Sequence, residues 1–273
     1  MIINLYNGEE KIEFKEDSHR YYRDSDTEKK KDGTPKKESI AGVTTFLGII
    51  AKPFLINWAV GVTIDYLKNN LDKITEDPNK LLAEAKAEAE RIKQDAADKG
   101  HLIHKWIEEH IKGLKPEMPQ DEQVQKGVIS FLEWKKEHNV EFLESEKFVY
   151  SRLHKYAGII DIIAKVDGKL YLIDIKTGNN IYSEMFLQTA AYIKADMEER
   201  GTKYEGRIIL RISKETEEEH NARMAGKSYE KEYKVFEAVY LDKNGSTVYR
   251  DFEAFLACLK LYRWKQEADK ELM

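Results

Sequence analysis

The segment GIIDIIAKVDGKLYLIDIKTG, residues 158–178, restricts the folds open to this chain more than any other stretch. Two runs rich in isoleucine, leucine and valine flank Asp167-Gly168, and Asp-Gly between such runs is the strongest short-range signal for a two-residue hairpin. That turn sets a register in which Val166 faces Lys169, every facing pair of residue numbers sums to 335, and Asp161 stands opposite Asp174. A slip of one residue would turn each run inside out.

Facing residues have Cβ atoms roughly 4.5–5.5 Å apart, and two like charges so placed weaken the pair unless a cation intervenes. Side chains alternate along a strand, so Lys176 shares the face of Asp174 while Ile173 and Ile175 point to the opposite, core side. Two carboxylates suit Mg²⁺ or Mn²⁺, which keep positions for water and phosphate oxygens, better than they suit zinc. The alternative is a solvated sheet face on which the three charges carry no chemistry. The facing register and the lysine two residues on favour the metal.

Around this hairpin the chain alternates strand and helix patterns. Residues 1–50 read as short strands and loops: KIEFKEDSHRYYRD, the lysine-rich SDTEKKKDGTPKKES as a hairpin tip or loop, and the β-branched IAGVTTFLGII. From Pro53, the spacing of Phe54, Leu55, Trp58, Val62 and Tyr66 predicts a helix, and a long charged helix follows up to Gly113. A further amphipathic helix is expected from about Glu122 to His138, then strands at FLESEKFVYS, YAGIIDIIAKV and KLYLIDIKT, and a helix at SEMFLQTAAYIKADMEERG. Strands GRIILRIS and YKVFEAVYL flank the acidic KETEEEHNARMAGKSYEKE, and a last helix runs from about Asp251 to Ala268. The expected fold is mixed α/β in one domain over 1–273, with an N-terminal β-hairpin and helical elaboration over 1–140 and a core sheet with flanking helices over 141–273.

The 273 residues, 41% of them hydrophobic, suffice for one sizeable core. Cys258 is the only cysteine, which excludes an internal disulfide, a cysteine zinc site and a four-cysteine iron–sulfur cluster built from this chain. A net charge of −5 speaks against nonspecific coating of nucleic acid but leaves room for a local basic groove beside an acidic metal site. With no apolar run of roughly eighteen residues and no signal-peptide core, the expectation is a soluble intracellular protein without a membrane partner. No Gly-x-x-x-x-Gly-Lys-Ser/Thr phosphate loop is present, so the chain carries no ATP-driven motor of that type.

Several helical and strand residues have two readings each. His104 and Glu108 in GHLIHKWIEEH lie one turn apart and either bring an imidazole to the metal or simply line a helix surface. Gln188 and Tyr192, also one turn apart, contact an attacking water or a nucleotide, or form a plain polar face. Glu146, with Glu144, leads into the strand before Asp161 and is a secondary candidate to complete the acidic site. Thr44 and Thr45 offer hydroxyls to phosphates and Trp58 an indole for base stacking, or all three are ordinary strand and core residues.

Taken together, Gly158-x-x-Asp161, Asp174-x-Lys176-Thr177 and Gln188-x-x-x-Tyr192 resemble the PD-(D/E)XK nuclease superfamily, in its RecB-like exonuclease branch. GVTTFLGIIAKPFLINWAV and GHLIHKWIE resemble two further segments found in phage-encoded exonucleases and in the mitochondrial genome maintenance exonuclease. The likeness spans most of the chain, from Tyr22 to the last helix; Ile160 stands at the position of the eponymous proline, and the second acid is Asp174 rather than glutamate. It implies a restriction-endonuclease-like core and a Mg²⁺- or Mn²⁺-dependent deoxyribonuclease, an exonuclease acting on DNA ends or single strands in the cytoplasm of a bacterial or phage-infected cell. By that likeness Asp161, Asp174 and the backbone carbonyl of Ile175 are metal ligands, Lys176 is the catalytic lysine and His104 an active-site histidine; the residues' own chemistry adds His104 and Glu146 as further candidate ligands, Gln188 as a candidate catalytic residue, and Thr44, Thr45, Trp58, Glu108 and Tyr192 as candidate substrate-binding residues. A restriction-type endonuclease and a noncatalytic nucleic-acid-binding module with a nuclease fold remain the competing expectations.

Overall fold

A computed structural model of the protein, which describes residues 1–226, 231–242 and 247–272, divides the strands between two sheets. β1 (Ile2–Leu5), β2 (Glu10–Lys15), β3 (Arg20–Lys29) and β4 (Pro35–Ile40) form an antiparallel sheet in chain order, larger than the expected hairpin. Much of the lysine-rich segment is strand, as the ends of β3 and β4. Leu5, Ile12, Phe14, Tyr21 and Ile40 form a small core together with Tyr150 and Ala157 of the second sheet.

Four helices follow: α1 (Val43–Leu47), α2 (Pro53–Asn69), α3 (Pro78–Ile111) and α4 (Glu122–Glu137). The expectation of extended structure at IAGVTTFLGII is corrected at α1, where a helical turn lets Val43, Phe46 and Leu47 enter the main core together. Burial here overrides the β preference of the branched residues. Asp77 caps α3 by accepting from the Lys80 N–H at 3.0 Å, with Pro78 in the first turn, and Asp121 caps α4 by accepting from the N–H groups of Gln123 and Val124.

The second sheet has the order β5 (Val140–Ser151), β6 (Tyr156–Val166), β7 (Lys169–Lys176), β8 (Gly206–Ile212) and β9 (Phe236–Leu241). All neighbours are antiparallel except β7 and β8, which are parallel and joined through α5 (Glu184–Arg200). Asp167 and Gly168 both hold positive φ, 51° and 82°, as a tight Asp-Gly hairpin requires. α6 (Glu217–Met224) falls within the acidic segment, of which 227–230 lie outside the described residues, and α7 (Thr247–Glu271) starts four residues before the expected point. No helix among the described residues is long and apolar enough to cross a membrane.

Apolar side chains leave both faces of this sheet. Ile160, Ile163 and Leu172 join α1, α5 and α7 in one core cluster, while Ile162, Ile173 and Ile208 join Ile103 and Trp106 of α3 and Phe131 and Trp134 of α4 in the other. Coverage on both sides explains why β6 reads as a nearly unbroken apolar run. On the first face the packing leaves no room at Gly158, where an added Cβ would lie 2.3 Å from a ring carbon of buried Tyr192. Gly158→Ala is therefore expected to destabilise the protein by about 3 kcal/mol, the upper part of the range for overpacking. Urea unfolding checks this: a second substitution, Tyr192→Ala, should make the pair cost less than the sum of its parts, and a neutral Gly158→Ala would refute the packing account.

Candidate metal centre

The ladder between β6 and β7 keeps the expected register from Val166–Lys169 to Ile162–Ile173 and stops one pair short of Asp161 and Asp174. In place of that last pair, the Asp161 carboxylate turns onto the backbone of β7, where Oδ2 accepts from the Ile175 N–H at 2.7 Å. The expected face-to-face pair is thus corrected to two carboxylates at one level of the sheet, in different settings. The β5–β6 ladder skips at the same level: Ser145 pairs with Ile162 and Lys147 with Ile160, which leaves Glu146 across from Asp161 without backbone pairing. Glu146 has a φ of 49°, a conformation that costs a non-glycine residue energy and that clusters at functional sites. Glu146, Asp161 and Asp174 consequently form a row of acids across three adjacent strands.

His104 reaches this row from α3, on which Ile103 and Ile107 are buried in the core beside the sheet. Its Nδ1 lies 3.8 Å from Asp161 Oδ2, and one ligand atom each of His104, Glu146 and Asp161 lie within 4.8 Å of one another. Asp174 is deeper, with 1% of its surface exposed. Lys176 Nζ approaches Asp174 Oδ2 to 2.7 Å as an ion pair, yet this oxygen has no hydrogen-bond partner among the described residues.

The electrostatics follow from three carboxylates facing one ammonium. Burial, and then Asp161 and Glu108, push the Glu146 carboxyl up to about 8. Burial raises Asp174 to about 6 against the opposing pull of Lys176, and burial also raises Asp161. Burial works against the charged form of Lys176, but Asp174 and Asp161 outweigh it and hold the ammonium protonated. Burial and the neighbouring Lys176 drop His104 to about 4, so its imidazole is neutral and free to act as a ligand at neutral pH. Such an acid-rich set with one neutral nitrogen fits a hard divalent cation, Mn²⁺ at least as well as Mg²⁺ because of the imidazole.

The other expected residues divide. Gln188 Nε2 donates to the Tyr192 hydroxyl at 3.0 Å, and the Tyr192 ring is buried against Gly158. Glu108 is ion-paired with Lys112. Ile175 enters through its N–H, and its side chain belongs to the core. Thr44 and Thr45 are exposed on α1, not on a strand, and Trp58 is 39% exposed on α2, not in the core. The start of α2 is tied to the segment after β7 by Lys52 and Glu184 at 2.8 Å and by Phe54 stacked on Tyr182.

Sequence reasoning ranked Glu146 too low. Its signal lay in the turn Arg152–Lys155: counting back from the Ser151–Tyr156 pair brings Glu146 level with Asp161. Compared with protein-family models and with curated proteins, the chain matches none.

Proposed function

We propose that the protein is a divalent-metal-dependent deoxyribonuclease, an exonuclease that hydrolyses phosphodiesters at DNA ends or on single strands. The observation that carries this reading is the row Glu146, Asp161 and Asp174, joined by His104 and by Lys176 on the strand of Asp174. The succession α4, β5, β6, β7, α5, β8, with β7 and β8 parallel, supports a restriction-endonuclease-like core. Exposed Phe54 and Trp58 on α2 support an aromatic surface on which unpaired bases stack.

His104, Glu146 and Asp161 would hold the ion, with the Asp174 carboxylate as a further ligand. When bound, Mg²⁺ or Mn²⁺ would lower the pKa of a coordinated water and neutralise charge on phosphate oxygens. Lys176 remains an ammonium because of Asp174, and stabilises negative charge that develops on the phosphate. Asp174 in turn keeps that ammonium at one position, 2.7 Å away. Neutral His104 contributes a lone pair without adding charge.

Purified protein incubated with closed circular, linear and single-stranded DNA, each with Mg²⁺, Mn²⁺ or chelator, tests the proposal. Metal-dependent loss of linear or single-stranded DNA with closed circles intact is the expected result. Cleavage of closed circles would move the reading to an endonuclease, and no cleavage under any of these conditions would sink it.

A further inference from the structure

A cleft of about 390 Å³ opens between β3, β4, the turn after β5, α1 and α7, and shares no residue with the carboxylate row. Two residues of its lining each carry a buried donor without a hydrogen-bond partner among the described residues: the hydroxyl of Tyr150, a fully buried residue, and Nε of Arg23. Both guanidiniums of the cleft, Arg23 and Arg263, lie within electrostatic reach of that phenol, as do the carboxylates of Glu10, Asp26 and Glu38. Unmet donors beside cations favour an anionic acceptor.

The charges around the cleft are unequally answered. Arg23 is gripped by Asp26 at 2.7 and 2.9 Å and lies near Glu38 and Glu10. Among the described residues, Arg263 is held only by the carbonyls of His154 and Lys155, at 2.8 and 3.2 Å, above the ring of Phe46. The Lys155 ammonium makes no hydrogen bond or ion pair among the described residues, and its backbone holds a φ of 53°, where glycine would be less strained. Asp26 and Glu38 are 67% and 52% exposed, so these acids sit at a wet rim.

We propose that this cleft binds a phosphate monoester with a hydroxylated organic body, of which a nucleoside monophosphate is the representative. Phosphate oxygens accept from Tyr150, Lys155 and Arg263, and hydroxyls of the organic body donate to Asp26 and Glu38. The volume falls in the range of pockets that enclose small organic ligands. The inference goes beyond the nuclease reading and is tested by binding alone.

Calorimetric titration of the full chain with AMP, adenosine and inorganic phosphate decides it. AMP should bind saturably and adenosine at least ~10-fold more weakly; Lys155→Gln and Arg263→Gln should each weaken AMP by about tenfold. Tyr150→Phe should weaken it several-fold while leaving the melting temperature of the unliganded protein unchanged or raised, since it removes a hydroxyl without a partner. Absence of AMP binding, binding unaffected by all three substitutions, or adenosine equal to AMP would overturn the site. Inorganic phosphate binding as tightly as AMP would overturn the assignment to an ester.

Discussion

Replacing Lys176 with methionine should reduce DNA cleavage by at least ~10³-fold while the chain remains folded, because the side chain keeps its length and loses the charge that faces the phosphate. The same change strands Asp174, whose ion pair is lost in a site with 1% exposure. Breaking a buried pair from one side costs about 3–5 kcal/mol, although proton uptake by Asp174, already raised to about 6, absorbs part of that cost. The double variant Asp174→Asn, Lys176→Met removes both charges and should recover most of the lost stability without recovering any cleavage. That recovery assigns the stability cost to the stranded buried charge, while the role of Lys176 in the chemistry is read from the single variant under conditions where it is fully folded, because Asp174 is itself proposed to hold the metal. Lys176→Met retaining more than a tenth of wild-type cleavage would end the catalytic assignment.

Glu146→Gln should change how the metal-free protein responds to pH. The folded Glu146 carboxyl titrates at about 8, above the ordinary glutamate value, so in the window between them the folded state holds a proton that the unfolded chain has released. Stability of the metal-free protein therefore falls as pH rises through that window and levels off above about 8. At ~1.4 kcal/mol for each pKa unit, discounted for the water that reaches a half-buried carboxyl, the loss is about 2–4 kcal/mol. Glutamine removes the share of that slope that Glu146 supplies, leaving the part due to Asp174 and Asp161, so urea unfolding in chelator at pH 5, 7 and 9 should show the variant increasingly more stable than wild type as pH rises. Added Mg²⁺ or Mn²⁺ should stabilise wild type more than the variant, because only wild type gains a carboxylate ligand. Superimposable pH profiles for the two proteins would show that Glu146 does not share the charge of the row.

The site was legible in the sequence where local chemistry decides the outcome. Asp167-Gly168 prescribes its own turn, and that turn sets the β6–β7 register, so Asp161, Asp174 and Lys176 could be brought together before any coordinates. His104 was legible only as a helix position, since nothing local says that Ile103 and Ile107 will seat α3 against the sheet. Glu146 was harder, because the Arg152–Lys155 turn has no Asp-Gly signature and β5 also carries an irregularity between Phe142 and Glu144. The helical turn at Val43–Leu47 is hidden in the sequence because its β-branched residues favour a strand locally, while their burial against α5 and α7 is decided by distant parts of the chain. Helical spacing shows that Gln188 and Tyr192 share a face, but not that Gly158 lets the Tyr192 ring settle against the strand.

Asp161 fills a place that a backbone carbonyl would take in an uninterrupted ladder, since its side chain receives the Ile175 N–H where β6 and β7 part. Any shortening at this position is consequently two changes at once: an anion leaves the centre and a main-chain donor loses its acceptor. Loss of function in Asp161→Ala would say nothing about which of the two mattered. Asparagine retains an oxygen for the Ile175 N–H and removes only the charge, so at this one position the amide isostere, and not alanine, isolates the chemistry from the architecture.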